Sequence, residues 1–242
     1  MRPLTKTGNY ISTRIGRAIA DYGLIEDKDR ILVAVSGGKD SLSMLKLLKE
    51  RQSWAPVDYE LIAVHISTDI LRAGDKARRG RLKKFFKDIG VKGYFKKVRI
   101  RGSERPSCFW CSWNRRKCLF FTADSLGCNK VALGHNKDDI IETLLLNLFY
   151  HGEFSAMNPR QELFKGQIKI IRPLCYVEED VIKKFARESR FPSETCRCPN
   201  ADISKRRMVK DIIRKLEKTC PHVKTNIFKS ISRVKKEYIN IK

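Results

Sequence analysis

The chain predicts an α/β fold, a doubly wound parallel sheet, and three observations lead there. Short apolar runs alternate with helical patterns along most of its length, the arrangement that puts helices over both faces of a parallel sheet. The first run, Ile31-Leu32-Val33-Ala34-Val35, is wholly apolar, as a strand buried on both sides must be. Two polar loops, one of them glycine-rich, follow strands directly, where such sheets collect ligands.

The elements are expected in this order. A helix over about 4–20 precedes the first strand at 31–35. Further strands fall at 61–66, 94–100, 131–133 and 168–171, with helices at 41–51, 71–89, 112–126, 138–149 and 178–188. Two more helices, 204–219 and 223–240, close the chain. This divides it into an N-terminal helical segment, 1–28, a central domain, 29–200, and basic C-terminal helices, 201–242. There is no internal repeat and no low-complexity linker.

Composition narrows the classes. Of 242 residues, 42% are hydrophobic, enough for a sizeable core. No apolar run approaches the ~18 to 20 residues that cross a bilayer, and the start, MRPLTKTGNY, lacks the apolar stretch of a signal peptide. A cytoplasmic protein without membrane attachment is expected. Fifty-one Lys and Arg against 27 Asp and Glu give a net charge of +24, more than solubility needs. The excess concentrates in two runs: twelve basic residues and one acid, Asp88, from Lys76 to Arg101, and thirteen against three from Lys205 to the end. Two such runs favour a nucleic-acid partner over merely solvated helix faces.

The loop Ser36-Gly37-Gly38-Lys39-Asp40-Ser41 lies between the first strand and a helix carrying Leu42, Met44, Leu45, Leu47 and Leu48. Strand, glycine turn and helix make a phosphate cradle: backbone N–H groups approach an anion, the helix N-terminus adds its dipole, and Lys39 and the hydroxyls complete the grip. The spacing is not that of a Walker loop. It resembles the PP-loop of enzymes that cleave ATP between its α and β phosphates. A second loop, Gly134-His135-Asn136-Lys137-Asp138-Asp139, also follows a predicted strand and opens a helix. Asp138 and Asp139 suit the Mg²⁺ that accompanies ATP, though an aspartate at a helix start is also a common N-cap. Ala34, Val64 and Ile66, at the ends of the first two strands, join Gly134 and His135 as candidate nucleotide-binding residues. His65 and His135 rank below the aspartates as catalytic candidates.

Eight cysteines in a cytoplasmic chain point to metal or redox chemistry rather than disulfides. Cys108 and Cys111 form a C-x-x-C; Cys196 and Cys198 lie some 85 residues on. Alone the C-x-x-C fits a redox pair, half of a zinc site or part of an iron–sulfur site; if the fold brings the two pairs together, metal is expected, zinc if all four bind and an open coordination site if three do. Cys118, Cys128, Cys175 and Cys220 have no such partner spacing and read as small hydrophobes.

In order, SGGKDS, CFWC with NRRK, GHNKDDIIETLLLNLFY, SAM at 155–157, IRPLCYV at 171–177 and FPSETCRCPN resemble the motifs of the tRNA 2-thiocytidine synthetases, the TtcA family. The resemblance runs from about Ile31 to Val234. It implies a PP-loop fold of adenine nucleotide alpha hydrolase type and an ATP-dependent sulfurtransferase acting on cytidine 32 of the tRNA anticodon loop. Such enzymes adenylylate the C2 oxygen of the base, and a sulfur nucleophile then displaces AMP. A 4Fe-4S cluster on three cysteines is implied, here Cys108, Cys111 and Cys198. The late pair is spaced by one residue where the family spaces it by two, so Cys196 stands as the alternative third ligand. Lys39, Asp40, Asp138 and Arg115, near the transferred group, are the implied catalytic residues, with Mg²⁺ on Asp139. The implied partners are tRNA, ATP and a sulfur donor, either a cysteine desulfurase or free sulfide; a homodimer is allowed. The chain lacks the N-terminal zinc ribbon of related enzymes that thiolate a T-loop uridine. Other readings are such a uridine enzyme, a PP-loop ligase with an amine nucleophile, and an RNA-binding protein with a four-cysteine zinc site.

Overall fold

In the computed structural model, residues 3–69, 75–99, 108–192 and 205–238 are described. They divide into two compact units, Met1–Asn136 with Pro159–Cys196, and Lys137–Asn158 with Arg197–Lys242.

Among the described residues of the first unit, six strands form one sheet in the order β3-β2-β1-β4-β6-β5. These are β1 (Asp29–Ala34), β2 (Tyr59–Thr68), β3 (Lys92–Val98), β4 (Lys130–Ala132), β5 (Arg160–Leu163) and β6 (Ile168–Ile171). The five expected strands are all present and mutually parallel. Ile100, the last residue of the expected third strand, lies outside the described residues. β5 was not expected, and it runs antiparallel to β6. Its sequence, Arg-Gln-Glu-Leu, is polar because it is an edge strand, and the turn to β6 is made with positive φ at Phe164, Lys165 and Gly166.

The helices of this unit are α1 (Lys6–Tyr22), α2 (Lys39–Arg51), α3 (Asp75–Asp88), α4 (Cys108–Ser125) and α6 (Glu179–Glu188). The expected start of α3, 71–74, lies outside the described residues. α1 and α6 pack with α2. Their approach is close enough that a side chain at Gly8 would meet the Phe185 ring. α4 lies against β2, β3 and β4. Leu32, Ile62, Val64, Ile66, Leu119 and Val131 form the core on that side. Burial of such side chains at about 1.5–3 kcal/mol each fixes the sheet on which the loops stand.

The second unit holds α5 (Lys137–His151), α7 (Lys205–Glu217) and α8 (Val223–Ser230). Ile141, Val209 and Ile213 make its core, flanked by Leu145, Ile227 and Phe228. The expected helix 223–240 is corrected: α8 ends at Ser230, and among the described residues only a short 3₁₀ turn, Lys236–Tyr238, follows, while 239–240 lie outside them. Two serines end it. The Ser230 and Ser232 hydroxyls donate to the carbonyls of Ile227 and Lys229, satisfying the helix end locally and competing with its continuation. Among the described residues no helix is long and apolar enough to cross a membrane.

Candidate active site

β1 pairs with β2 on one side and β4 on the other, so the chain reverses its winding between β1 and β4. In open parallel sheets the crevice at the carboxyl ends of such strands takes the ligand. The glycine-rich loop leaves β1 there. Its entry is fixed from β2: the Val35 N–H donates to the Val64 carbonyl at 2.8 Å, and His65 Nδ1 donates to the Val35 carbonyl at 2.7 Å. His65 is buried and clamps the loop rather than reaching into it. Arg78, from α3, donates to the Ser36 carbonyl at 2.6 Å.

Gly37 takes φ +85°, a conformation L side chains rarely adopt, and Gly38 stands at the N-cap of α2 with no side chain to offer. The first N–H groups of α2 therefore receive no capping oxygen and are available to an anion. The Gly38 N–H donates to Ser36 Oγ at 3.3 Å, and Ser41 Oγ donates back to the Gly38 carbonyl at 2.9 Å. The loop is preformed.

The loop after β4 is pressed against this turn. A side chain at Gly134 would stand 3.1 Å from the Ser41 nitrogen and 3.2 Å from its Cα, a tight approach to backbone that glycine relieves. Asn136 Nδ2 then donates to Asp40 Oδ1 at 3.1 Å. His135 Nδ1 accepts from Arg172 Nε at 3.3 Å. Arg172 is buried, and burial, then the nearby Arg116, lowers its pKa to about 10.

Lys39 Nζ donates to Asp40 Oδ2 at 3.0 Å and meets Glu179 Oε1 on α6 at 3.0 Å. Burial disfavours its charge, but Asp40 and Glu179 outweigh burial and hold its pKa above the usual value. The ammonium opens on a cavity of about 460 Å³ lined also by Lys183, Ala186, Arg187, Arg190 and Phe191. Four cationic side chains around one cavity suit a phosphate group. Glu179 bridges two of them, its other oxygen lying 3.3 Å from Lys183.

The remaining expected residues separate. Ser36, Gly37, Gly38, Lys39, Asp40, Ser41, Gly134 and His135 come together as above. Ala34, Val64 and Ile66 belong to the core or its edge, so what they offer a nucleotide is backbone. Asp138 and Asp139 open α5 in the second unit. There Asp138 Oδ1 lies 2.9 Å from Lys224, and Asp139 lies 3.9 Å from Arg206. Cys108 and Cys111 stand one turn apart at the start of α4, and Arg115 follows on the same helix. Cys196 and Cys198 lie outside the described residues. Among the described residues no cluster of three metal-ligating side chains forms. Cys128 and Cys175 are buried, and burial pushes their thiols up to about 11 and about 12, as inert core cysteines require. Sequence reading missed Arg78, Glu179, Asn136 and Arg172 as site residues. Asn136 was visible inside its motif; the others carry no local signal.

A preformed phosphate cradle at the switch point of a parallel sheet defines an α/β nucleotide-binding protein. The PP-loop domain family matches residues 9–209. A tRNA-cytidine(32) 2-sulfurtransferase from Geobacter sulfurreducens is 43% identical over 235 residues, 95% of this chain and 91% of that protein. One from Geotalea uraniireducens is 40% identical over 239 residues, 95% of this chain and 93% of that protein. Among solved structures, the U34-tRNA thiolase NcsA from Methanococcus maripaludis, with its 4Fe-4S cluster, superposes with a TM-score of 0.75 at 25% identity. That match covers 97% of this chain and 80% of the thiolase. The chain belongs to the tRNA-cytidine(32) 2-sulfurtransferase family of PP-loop proteins.

Proposed function

We propose that this protein is an ATP-dependent tRNA sulfurtransferase that adenylylates the C2 oxygen of cytidine 32 in the anticodon loop and then replaces it with sulfur, AMP leaving with the oxygen. The observation that carries the reading is the intact cradle: Gly37 at positive φ, an α2 start without a capping side chain, and Lys39 facing a cationic cavity. The loop N–H groups and Lys39 hold the triphosphate. As the C2 oxygen of the base attacks the α phosphorus, the bond to the bridging oxygen breaks and pyrophosphate leaves with that charge. Lys39, Lys183, Arg187 and Arg190 stabilise the charge, and Glu179 gives up Lys39 to it. Asp40, tied to Lys39 and Asn136, keeps the two loops in register. On sequence grounds, Asp139 is assigned to Mg²⁺ and Asp138 and Arg115 to roles around the transferred group.

The cysteines suit an iron–sulfur cluster by number and spacing: a C-x-x-C at positions 108 and 111 of α4, and a late pair in the sequence that would supply a third ligand. Cys108, Cys111 and Cys198, with Cys196 as alternative, would hold it, and when bound it presents sulfur to the activated base. Sulfur comes from a cysteine desulfurase or free sulfide, the location is the cytoplasm, and a homodimer is the proposed assembly.

Mass spectrometry of tRNA from cells lacking the protein tests the reading. Loss of 2-thiocytidine with 2-thiouridines unchanged is expected. Loss of a thiolated uridine instead refutes the substrate, and no change in any thiolated nucleoside refutes the activity.

A further inference from the structure

Between and just after Cys108 and Cys111, α4 carries large aromatic rings that the core leaves outside. Trp110 and Trp113 are 42% and 44% exposed. Their rings stack, with centroids 5.4 Å apart and planes inclined by 13°. Lys117 Nζ lies 5.3 Å from the Trp113 centroid and 5.8 Å from that of Phe121, itself 66% exposed. Beside them opens a largely apolar groove of about 670 Å³. Its charged lining is Arg116, Lys117 and Arg172 against one carboxylate, Asp124.

Because β3 runs parallel to β1, the helix that follows it starts at the carboxyl edge of the sheet, the edge that carries the phosphate loop. Exposed aromatic faces mixed with cations select a flat π system attached to negative charge, which describes an unpaired nucleotide. A second copy of this chain suits the face poorly, since it would bring a net charge of +24 against three cations.

We propose that Trp110, Trp113 and Lys117 form a platform on which unpaired anticodon-loop bases stack, holding the loop while the target base enters the nucleotide site. The proposal rests on the tRNA reading above. Both tryptophans are exposed, so their replacement leaves the core intact.

The chain has three tryptophans, so Trp54→Phe leaves this pair as the only indole fluorophores. In that background, an anticodon stem-loop RNA is expected to quench the fluorescence, and the same RNA closed into a full duplex is not. Trp113→Ala should weaken stem-loop binding about tenfold with its salt dependence unchanged, since a stacked base and no charge is lost. Trp113→Tyr should keep most of the affinity. Lys117→Ala should lower the salt slope by about one. Equal stem-loop affinity for the wild type and a Trp110→Ala/Trp113→Ala variant overturns the platform alone. A wild-type dimer that this variant splits into monomers also overturns it, giving the face to a second copy. A wild-type protein that binds no stem-loop at all overturns the tRNA reading and the platform with it.

Discussion

At the amino edge of the sheet Lys130 is wholly buried, its ammonium 2.6 Å from Asp29 and 2.7 Å from Glu26. At the carboxyl edge Lys39 meets Asp40 and Glu179 at 3.0 Å each, yet 27% of its side chain stays exposed and it faces a cavity. Both are lysines bracketed by two acids in the same unit. The first pair is enclosed: Lys130 and Asp29 are 0% and 2% exposed, and Asn129 Nδ2 also donates to Asp29. The second is open on one side, and its acids compete with any phosphate that arrives. Enclosure, rather than the identity of the pair, separates a structural ion pair from a functional one.

Breaking each pair should therefore fail in a different way. Lys39→Ala should cut pyrophosphate release at least about a hundredfold while thermal unfolding barely moves, because a donor to the developing charge is lost. Near-wild-type release would remove Lys39 from the mechanism. Lys130→Met leaves Asp29 buried without its cation and should destabilise the protein by about 3–5 kcal/mol in urea unfolding. A variant as stable as the wild type would show that the amino-edge pair contributes nothing net.

The open network can also be sharpened. Glu179→Gln removes a carboxylate that competes for Lys39, so calorimetry should show ATP binding about two- to fivefold tighter, the scale of one partly exposed pair. Weaker binding would mean that Glu179 positions Lys39 rather than masking it.

A third acid, in the second unit, gives the smallest effect. Burial pushes the Glu142 carboxyl from 4.5 up to about 7, and Lys210 and Arg206, at 3.9 and 3.5 Å, offset only part of this. Between those two values the folded chain holds a proton that the unfolded chain has released. Glu142 therefore makes stability fall as pH rises from about 4.5 through 7, and Glu142→Gln should flatten that slope in melts across the range. An unchanged slope would assign it to other groups.

What the sequence revealed follows from what is local. Strand, Gly-Gly turn and leucine-bearing helix are adjacent in the chain, so β1, the cradle and α2 were legible together, as was the parallel sheet around them. β5 escaped because a polar edge strand lacks an apolar face, and because its turn uses Phe164 and Lys165 at positive φ instead of an Asn-Gly signal. α8 is shorter than its sequence pattern implies because nothing in that pattern signals that Ser230 and Ser232 turn back on the backbone. Arg78 and Glu179 reach the site from 42 and 140 positions beyond Ser36 and Lys39, and only the fold brings them there. Arg78 in particular was hidden in a basic run read as a nucleic-acid surface.

Whether ATP held in the cradle is consumed on a cytidine is decided by one measurement. Anaerobically purified protein is given ATP, a sulfur donor and an anticodon stem-loop carrying either C32 or U32, and pyrophosphate and thiolated nucleosides are counted together. The C32 RNA should stimulate pyrophosphate release and yield 2-thiocytidine in step with it, while the U32 RNA should do neither. Equal release with both RNAs, or thiolation of the uridine, would contradict a cytidine-specific use of ATP.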